Sequence, residues 1–565
     1  MSKILGSLRQ DIKLFRQLEP FYGTLKPHIA LSILLGLIST IVESFAVSVI
    51  VFFVLKTITQ EPMITGNNLF DQSFAHLVTL LDSETLAIWL IIIGLVVIRS
   101  VCSGAYYLVA SVIANTIHHR VRSALFRTYM SMPYKRLSKL DYGTMANSLH
   151  IESWYVAESV KTMSDLIIGF CAVFAYLGVM FFFSWPLATI ALLFGFLFRI
   201  LFSRLKAPLR RFGFLVTEKN EVLTARMYTR MQAIKSFRAH GLEAGEITKF
   251  DQVSSSLSEL FTHLSARETH LKPLNDFLTL MMIACLVWLS SYLGNSVTIT
   301  VTVVAILYRL QPHFFGIEGC FASLALSQGH LEALLRQLEL GEKDSSVSFD
   351  NPYANHWQKL CFENVFFSYD GTPVLKGVSF TLSKGEILAV RGLSGAGKTS
   401  LINLLLRLTE PDQGVISVDG KDLKSIDRTE WLMNAAAAGQ DFELHDGTLH
   451  ENLTLERAIS DEHLWEALSI AEIADFVDSL PEKLNTRIGE RGARLSGGQR
   501  QRIILARALA GKPSFLILDE ATSAVSIDVE HKIYQNILEK CPNTTIVIIT
   551  HRSLPEHLAN NIVEI

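Results

Sequence analysis

The sequence has few cysteines and almost no net charge, and both features narrow the classes of protein that it can encode. Its 565 residues include six Cys, and none forms a CxxC pair or a Cys/His spacing that binds zinc. Four of them lie in apolar runs, which argues against a disulfide framework: Cys102, Cys171, Cys285 and Cys320. The 51 Lys and Arg nearly balance the 54 Asp and Glu, for a net charge of -3. Nucleic-acid binding through a basic surface is therefore not expected.

Charged residues are scarce in six long stretches, and these stretches predict membrane spans. A helix that crosses the hydrocarbon of a bilayer needs about 20 mostly apolar residues. The stretches that qualify are residues 28–55, 86–117, 166–183, 186–203, 277–294 and 295–317. A purely soluble enzyme is disfavoured by this pattern.

The distribution of basic residues orients these spans. No Lys or Arg occurs between Thr57 and Ile98, whereas the connections after the second and fourth spans are long and basic. The positive-inside rule therefore predicts that both termini and these two connections are cytoplasmic. Residues 1–27 mix basic and apolar positions, which predicts an interfacial amphipathic helix, with a solvated basic tail as the alternative.

A polar linker at 341–355 is predicted to end the membrane domain of residues 28–340 and to lead into a cytoplasmic domain of residues 356–565. Predicted strands at 360–367, 377–382 and 387–391 precede the segment GLSGAGKT at 392–399, which is a P-loop. Its backbone N–H groups would cradle phosphate oxygens at the start of a helix over 399–408. The candidate nucleotide ligands are Gly392, Ser394, Gly395, Gly397, Lys398, Thr399 and Ser400, and the Thr399 hydroxyl is expected to bind Mg²⁺.

A further apolar strand is predicted at 515–518, and two adjacent carboxylates follow it. We expect Asp519 to hold Mg²⁺, through water, and Glu520 to polarise the water that attacks the γ-phosphate. The P-loop and this pair together predict an ATP hydrolase.

Between these motifs lies LSGGQ at 495–499, followed by Arg500-Gln-Arg, and here the chain resembles the ATP-binding-cassette (ABC) family. The resemblance implies that Ser496, Gly497, Gly498 and Gln499 bind the ATP held by the opposite subunit. It also implies that Tyr369 stacks on adenine, that Gln440 contacts metal and water, and that His551 senses the γ-phosphate. Glu490 resembles the exporter residue that contacts the membrane domain.

The order of segments resembles an exporter half-transporter. The implied fold is a membrane all-α six-helix domain with long cytoplasmic helical extensions, then an α/β P-loop ATPase cassette with antiparallel β and helical subdomains. Coupling loops are expected near 140–144 and 221–231. Because every ATP-site motif is intact, a homodimer is expected, and a heterodimer with another half-transporter is the alternative. A bacterial inner membrane is expected by analogy, with the cassette cytoplasmic.

Two features depart from the family pattern. Ser526 stands where the family usually has Asp, so it cannot supply a carboxylate, and the coupling between the two ATP sites is expected to change. The sequence ends at Ile565, soon after His551, which predicts shortened trailing strands and a shortened trailing helix.

Three charges inside the apolar stretches bear on the cargo: Glu43, Arg99 and Arg309. Such groups normally face a bundle interior or a water-filled cavity. One interpretation is that the arginines line a cavity, four cations per dimer, and receive a phosphate or pyrophosphate head group. The other is that Glu43 pairs with one Arg and locks the spans together. Short similarities to lipid-linked oligosaccharide and glycolipid flippases favour an amphipathic lipid cargo. Export of a small modified peptide, an ATP-gated channel and a non-transporting ATPase remain alternatives.

Overall fold

The computed structural model describes residues 16–59, 85–206, 209–294, 297–342, 357–369, 371–393, 395–439, 441–550 and 559–565. The chain divides into two compact units. The first comprises Met1–Met132 and Leu137–Ser345, and the second comprises Pro133–Arg136 and Ser346–Ile565. Most of the predicted amphipathic helix at 1–27 lies outside the described residues, and so does most of the predicted linker at 341–355.

The first unit is helical. In chain order its helices are α1 (Glu19–Tyr22), α2 (Lys26–Thr59), α3 (Thr85–Ser131), α4 (Tyr134–Leu137), α5 (Tyr142–Asn147), α6 (Ser153–Phe183), α7 (Trp185–Lys206), α8 (Leu209–Gln232), α9 (Ile234–Ala239), α10 (Glu243–Tyr292) and α11 (Val297–Glu342), of which α4 groups mainly with the second unit. A 3₁₀ turn (Gly23–Leu25) precedes α2, and a π-helical turn (Ser148–Glu152) precedes α6.

The six predicted spans fall in six different helices, namely α2, α3, α6, α7, α10 and α11. Within the described residues, four stretches are long and apolar enough to cross a membrane: Glu19–Val47, Trp89–Ser131, Tyr142–Phe181 and Pro273–Tyr292. Trp185–Phe198 is a shorter apolar helix, and the sixth predicted span lies in α11. Helices satisfy their own backbone hydrogen bonds, which is why such runs fold as helices in lipid.

Two large apolar clusters, and a smaller one around Val216, Leu257 and Ala322, hold these helices together. Between the apolar parts of the helices, Tyr176 and Met180 of α6 are buried in one cluster with Leu187 of α7, Leu286 of α10 and Leu307 of α11. In the extension beyond the spans, a second cluster is formed by Leu18, Ile117, Val121, Leu125, Val156, Leu331 and Leu334. Large apolar side chains on the outer faces, such as Val101 and Leu108, stay exposed, as expected for surfaces that meet lipid.

The second predicted coupling segment, at 221–231, was placed wrongly. These residues lie inside α8, because the helical sequence continues to Gln232. The chain turns only after Ala233, through the short α9, and at Gly241, whose φ of +63° favours glycine. The tip of this connection is therefore at 233–242. The first predicted segment, at 140–144, does fall in a connection, where the Asp141 carboxylate accepts a hydrogen bond from Thr144 N and caps α5.

One carboxylate on α10 forms ion pairs with three cations, two of them on α8. Glu246 of α10 lies 2.9 Å from Arg226 Nη2, 3.0 Å from Arg230 Nε and 3.2 Å from Lys249 Nζ. The hydrogen bond from Arg226 is the main cause that lowers the pKa of Glu246. Arg230 also lies over the ring of Phe237, 5.1 Å from its centroid, and this cation–π contact connects α8 to α9.

The second unit contains two sheets. Strands β1 (Lys359–Tyr369), β2 (Thr372–Ser383), β4 (Gln413–Val418) and β5 (Lys421–Asp422) form an antiparallel sheet in the order β2-β1-β4-β5. Strands β3 (Ile387–Arg391), β6 (Ala435–Gly439), β7 (Phe515–Asp519), β8 (Thr545–Ile549) and β9 (Asn561–Glu564) form a parallel sheet in the order β6-β7-β8-β3-β9. The three strands predicted at the start of this unit are confirmed.

Helices cover the parallel sheet and build a helical subdomain. They are α12 (Lys398–Leu405), α13 (Arg428–Asn434), α14 (Leu449–Thr454), α15 (Asp461–Ile470), α16 (Ala474–Asp478), α17 (Gly497–Ala510) and α18 (Ile527–Lys540), with 3₁₀ turns at Leu423–Ser425, Lys483–Asn485 and Glu490–Gly492. The residues of β3, β7 and β8 are almost wholly buried, as expected for parallel strands covered on both faces. The carboxyl ends of β3 and β7 therefore meet at one edge of the sheet.

Candidate functional site

The P-loop connects β3 to α12 at this edge. Gly395 and Gly397 have φ of +85° and +106°, which only glycine adopts without strain. A Cβ at Gly397 would lie 2.9 Å from Val374 Cγ1, and a Cβ at Gly392 would lie 2.8 Å from the carbonyl oxygen of Ile565. The loop therefore needs glycine both for its turns and for its close packing. Its backbone leads into the N-terminus of α12, where phosphate oxygens are stabilised.

The polar side chains of the loop follow at the first turn of α12. Lys398 Nζ donates a hydrogen bond to the carbonyl of Gly392 at 3.0 Å, so the ammonium group folds back over the loop. Thr399 and Ser400 come next, and Ser400 is buried. Ser394 lies outside the described residues. The predicted helix at 399–408 is confirmed in place, although α12 ends at Leu405.

Tyr369 is the last residue of β1 and approaches the same helix. Asn403 Nδ2 of α12 donates to its hydroxyl at 3.5 Å, and its ring packs edge-on against Phe367 with 4.9 Å between centroids. The ring is half-buried and fixed on one side. This arrangement suits an aromatic platform for a base beside the phosphate loop.

The carboxylate pair lies at the end of β7. Asp519 is paired with Gly439 of β6 on one side and Ile549 of β8 on the other. Glu520 has a left-handed φ of +50°, which is uncommon for a residue with a side chain. Its N–H donates to Ile549 O at 2.9 Å, and its carbonyl accepts from Gln501 Nε2 at 3.3 Å. These bonds hold the strained residue in place.

Two predicted site residues, Gln440 and His551, lie outside the described residues. β6 ends at Gly439, immediately before Gln440, and a Cβ at Gly439 would lie 2.7 Å from Asp519 O. β8 ends at Ile549, two positions before His551. The roles of both residues stay predictions.

The LSGGQ motif begins α17. Ser496 caps the helix: its N–H donates to Gln499 Oε1 at 2.8 Å, and its hydroxyl accepts from Gln499 N at 3.3 Å. A Cβ at Gly498 would lie 2.9 Å from Ala524 O, so the motif packs against the loop that follows Glu520. Ser526, in the same loop, is the N-cap of α18 but makes no side-chain capping bond.

Two residues that the sequence analysis assigned no role connect α17 to the ATP site. Gln501 Nε2 donates to Ser523 Oγ at 2.8 Å, and Gln501 Oε1 accepts from Ala524 N at 2.7 Å. Arg507 is 8% exposed and donates to the carbonyls of Phe442 and Glu443 at 2.8 and 2.9 Å. Burial lowers its pKa to about 10, so it stays charged at neutral pH. Arg507 is the single charged residue in the apolar second half of α17, residues 503–510, and that pattern was the signal that could have identified it.

The segment around Glu490 forms a tight turn. Gly489 has a φ of +74°, and Arg491 is left-handed within the 3₁₀ turn Glu490–Gly492. Arg491 Nε lies 3.1 Å from Glu443 Oε2, which connects this turn to the segment held by Arg507. A contact between Glu490 and the membrane domain stays a prediction.

Comparison with known proteins identifies the family. Residues 29–317 match the family described as ABC transporter transmembrane region, and residues 375–523 match the family described as ABC transporter. The chain belongs to the ABC transporter family. The two matches in one chain make it an exporter half-transporter: the transporter binds ATP and couples its hydrolysis to export across a membrane.

Bacterial relatives cover most of the transporter. The heterocyst differentiation ATP-binding protein HepA of Nostoc sp. is 27% identical over 77% of this chain and 72% of its own. An ATP-dependent lipid A-core flippase of Thiobacillus denitrificans is 27% identical over 94% of this chain and 92% of its own. A solved structure described as a bacterial Atm1-family ABC exporter with ATP bound has a TM-score of 0.76 at 20% identity, covering 94% of this chain and 91% of that one, which shows the fold. These bacterial homologues point to the inner membrane as the location of the transporter.

The three charged residues singled out within the predicted spans form one cluster in the membrane domain of the transporter. Glu43 Oε2 lies 3.0 Å from Arg99 Nε, and Glu43 Oε1 lies 3.3 Å from Arg309 Nη1. Glu43 therefore meets both arginines, not one, and the three groups carry a formal charge of +1. The prediction of four cations per dimer omitted these two carboxylates, one in each copy. The side chains of Arg99 and Arg309 remain 42% and 52% exposed, whereas Glu43 is 14% exposed.

Proposed function

We propose that the transporter moves an amphipathic lipid with an anionic head group, such as a lipid-linked saccharide, from the cytoplasmic side outward. The observation that carries this proposal is the cluster of Glu43, Arg99 and Arg309. A net positive group in an apolar region is costly unless an anion meets it. A phosphate or pyrophosphate is an anion that guanidinium groups bind with paired N–H donors.

Donor capacity in this cluster favours such a ligand. Arg99 Nε is buried and lies 3.0 Å from Glu43 Oε2, yet it makes no hydrogen bond within the described residues. Its N–H is therefore misaligned with the carboxylate, so the ion pair leaves this donor without a hydrogen bond. A head-group oxygen would be a better-aligned acceptor. Relatives named lipid A-core flippases, in Thiobacillus denitrificans among others, support a lipid as cargo.

We infer that two copies of the chain bind two ATP between them. Each ATP would contact Lys398 and the P-loop of one copy, and Ser496, Gly497, Gly498 and Gln499 of the other. The intact P-loop, carboxylate pair and LSGGQ motif within one chain support a homodimer, because no site is degenerate. ATP that makes contacts with both copies only when the cassettes close would shift the population toward the outward-facing state, and hydrolysis would reverse that shift.

The residues at the ATP site fit Mg²⁺. The Thr399 hydroxyl and the Asp519 carboxylate are hard oxygen donors at the same sheet edge, and Mg²⁺ is held by one or two carboxylates together with phosphates and waters. When bound, the ion neutralises charge on the β- and γ-phosphates. Glu520 would accept a proton from the attacking water, and Gln440 and His551 would complete the site.

The test is ATP hydrolysis in lipid discs with a panel of cargoes. Polyprenyl-pyrophosphate saccharides and anionic glycolipids should stimulate hydrolysis, and short modified peptides should not. Arg99→Ala and Arg309→Ala should lose this stimulation and keep basal hydrolysis. Arg336→Ala, on the same helix as Arg309 but beyond the predicted span, is the matched control and should respond as the unmodified protein does.

The outcomes separate the alternatives. Stimulation by peptide alone would reject the lipid cargo and leave the exporter mechanism in place. Equal loss of basal and stimulated hydrolysis in both arginine variants would show that the cluster only holds the spans together.

A further inference from the structure

A cleft on the membrane domain, separate from the charged cluster, has the form of a lipid-chain site. It has a volume of about 290 Å³. It lies between α6, α7, α10 and α11, and its lining is aromatic and aliphatic except for two residues, Asn275 and Glu318. Phe174 and Phe196 at its mouth are 68% and 63% exposed, so the cleft opens on the outside of this helix group.

Asn275 is the unexplained group in this cleft. Its side chain is 5% exposed, and its Nδ2 has no hydrogen-bond partner within the described residues. A buried amide without an acceptor costs about 1–3 kcal/mol, so such groups usually meet a partner that the protein itself does not supply. Because this N–H donor lies among apolar side chains, a ligand that fits the cleft would have both a hydrogen-bond acceptor and an apolar chain.

The polarity of the cleft follows the depth of the bilayer. Asn275 lies just before the predicted span 277–294, and Glu318 lies just after the span 295–317, so both lie at the cytoplasmic ends of their spans. Leu177 and Leu192 also line the cleft and lie nearer to the middle of their predicted spans, 166–183 and 186–203. A lipid of the inner leaflet has the same order, because its ester carbonyls lie at the boundary between head group and hydrocarbon.

A close contact between α7 and α11 forms part of the wall of this cleft. A Cβ at Gly195 of α7 would lie 2.7 Å from Phe314 Cζ of α11, so the glycine accommodates the Phe314 ring against α7. The two helices meet there through a ring and a bare backbone, and the lining on both sides of this contact is apolar. Such a surface buries methylene groups favourably, at about 25 cal/mol per Å² of apolar area.

We propose that this cleft binds an acyl chain of a phospholipid from the inner leaflet, with Asn275 Nδ2 donating a hydrogen bond to its ester carbonyl. The chain lies along Phe170, Val173, Leu177 and Leu192, and the carbonyl lies at the level of Asn275. This site belongs to the surrounding bilayer and does not depend on which cargo the transporter exports.

Native mass spectrometry of the purified full-length protein tests the proposal, without nucleotide and without cargo. The two probes are dioleoyl phosphatidylcholine and its dialkyl ether analogue, which has the same head group and chain length and no carbonyl. The unmodified protein should bind the ester lipid about fivefold more tightly, which is the effect of one net hydrogen bond. Asn275→Leu should abolish that difference.

A second pair of variants tests the cleft itself. Leu192→Trp should fill it and weaken binding of both lipids. Leu193→Trp is the matched control, because Leu193 is adjacent, 64% exposed and not part of the lining, and it should bind both lipids as the unmodified protein does.

Two results would overturn the proposal. Equal binding of ester and ether lipids by the unmodified protein would remove the role of Asn275, and equal binding by the two Trp variants would remove the cleft. Because cargo and ATP are absent, neither result bears on the proposed flippase activity.

Discussion

At the residue scale, Glu520, the proposed base of ATP hydrolysis, has a left-handed backbone that must be held in place. A left-handed φ costs a residue with a side chain about 1–3 kcal/mol, and here two backbone hydrogen bonds offset that cost. Glu520→Gln keeps the shape and removes the base, so hydrolysis should fall by about 100-fold or more while ATP binding remains. Phosphate release and binding of a fluorescent nucleotide would measure the two properties.

A second glutamate supplies the control for this change. Glu456 is also left-handed, with a φ of +61°, but it is exposed and lies away from the sheet edge. Glu456→Gln should hydrolyse ATP at the normal rate. Near-normal turnover by Glu520→Gln would mean that another group accepts the proton.

His330 predicts a dependence of stability on pH. It is 2% exposed in the extension of α11 beyond the spans, and its ring stacks on Tyr155 with 4.0 Å between centroids. Burial lowers its pKa from 6.5 to about 4. Between these two pH values the unfolded chain binds a proton at His330 that the folded chain does not bind. The contribution of His330 to the free energy of unfolding is therefore fully present above about pH 6.5. It is lost as the pH drops, by up to roughly 3 kcal/mol near pH 4.

The measurement is the unfolding temperature against pH for His330→Phe, which keeps an aromatic ring against Tyr155. The variant should lose part of the decline between pH 6.5 and 4. His240→Asn, at an exposed position, should keep the whole decline. If His330→Phe and the unmodified protein follow the same curve, the decline comes from other groups.

At the element scale, the close approach of α5 to α8 controls stability in the extension beyond the spans. A Cβ at Gly143 would lie 2.8 Å from the backbone nitrogen of Ala225, and a backbone cannot move aside as a side chain can. Gly143→Ala should therefore destabilise the protein by about 1–3 kcal/mol. Thermal unfolding would measure this loss. Gly245→Ala, on α10 with nothing within 4 Å of its Cβ, should be neutral or slightly stabilising, and equal behaviour of both variants would contradict the packing argument.

Some of these helices, strands and turns could be predicted from the sequence, and others could not. Apolar runs located the spans, and the three strands before the P-loop were correct, because hydrophobic pattern and turn residues determine such elements locally. The turn at 233–242 was missed because α8 continues through a polar, helix-forming sequence. At the ATP site, the motifs predict which residues hold the nucleotide. The hydrogen bonds of Arg507 and Gln501 could not be predicted, because they join residues far apart in sequence that only the fold brings together.

At the scale of the whole molecule, the charge of the membrane cluster bears on how the proposed anionic cargo would be bound and released. Each copy carries one Glu43 between two arginines, so a homodimer would present two clusters with a charge of +1 each. An anionic head group that binds there competes with Glu43 for the same guanidinium groups. If the cluster binds the proposed cargo, Glu43 would stabilise the empty transporter and weaken the binding of the head group, which suits a protein that must release what it binds.

This competition predicts opposite effects of one substitution. Glu43→Gln keeps the size of the side chain and raises the charge of each cluster to +2. Because two half-exposed cations lose their counter-ion, the free energy of unfolding of the empty protein should fall by roughly 1–3 kcal/mol. The concentration of a polyprenyl-pyrophosphate saccharide that half-stimulates hydrolysis should fall by about five- to tenfold, and added salt should diminish that gain. Glu339→Gln, at an exposed position of α11 beyond the predicted span, should change neither quantity. A loss of stability with an unchanged lipid dose response would assign the cluster to helix packing alone, since a head group that met the arginines would have to respond to the loss of its competitor.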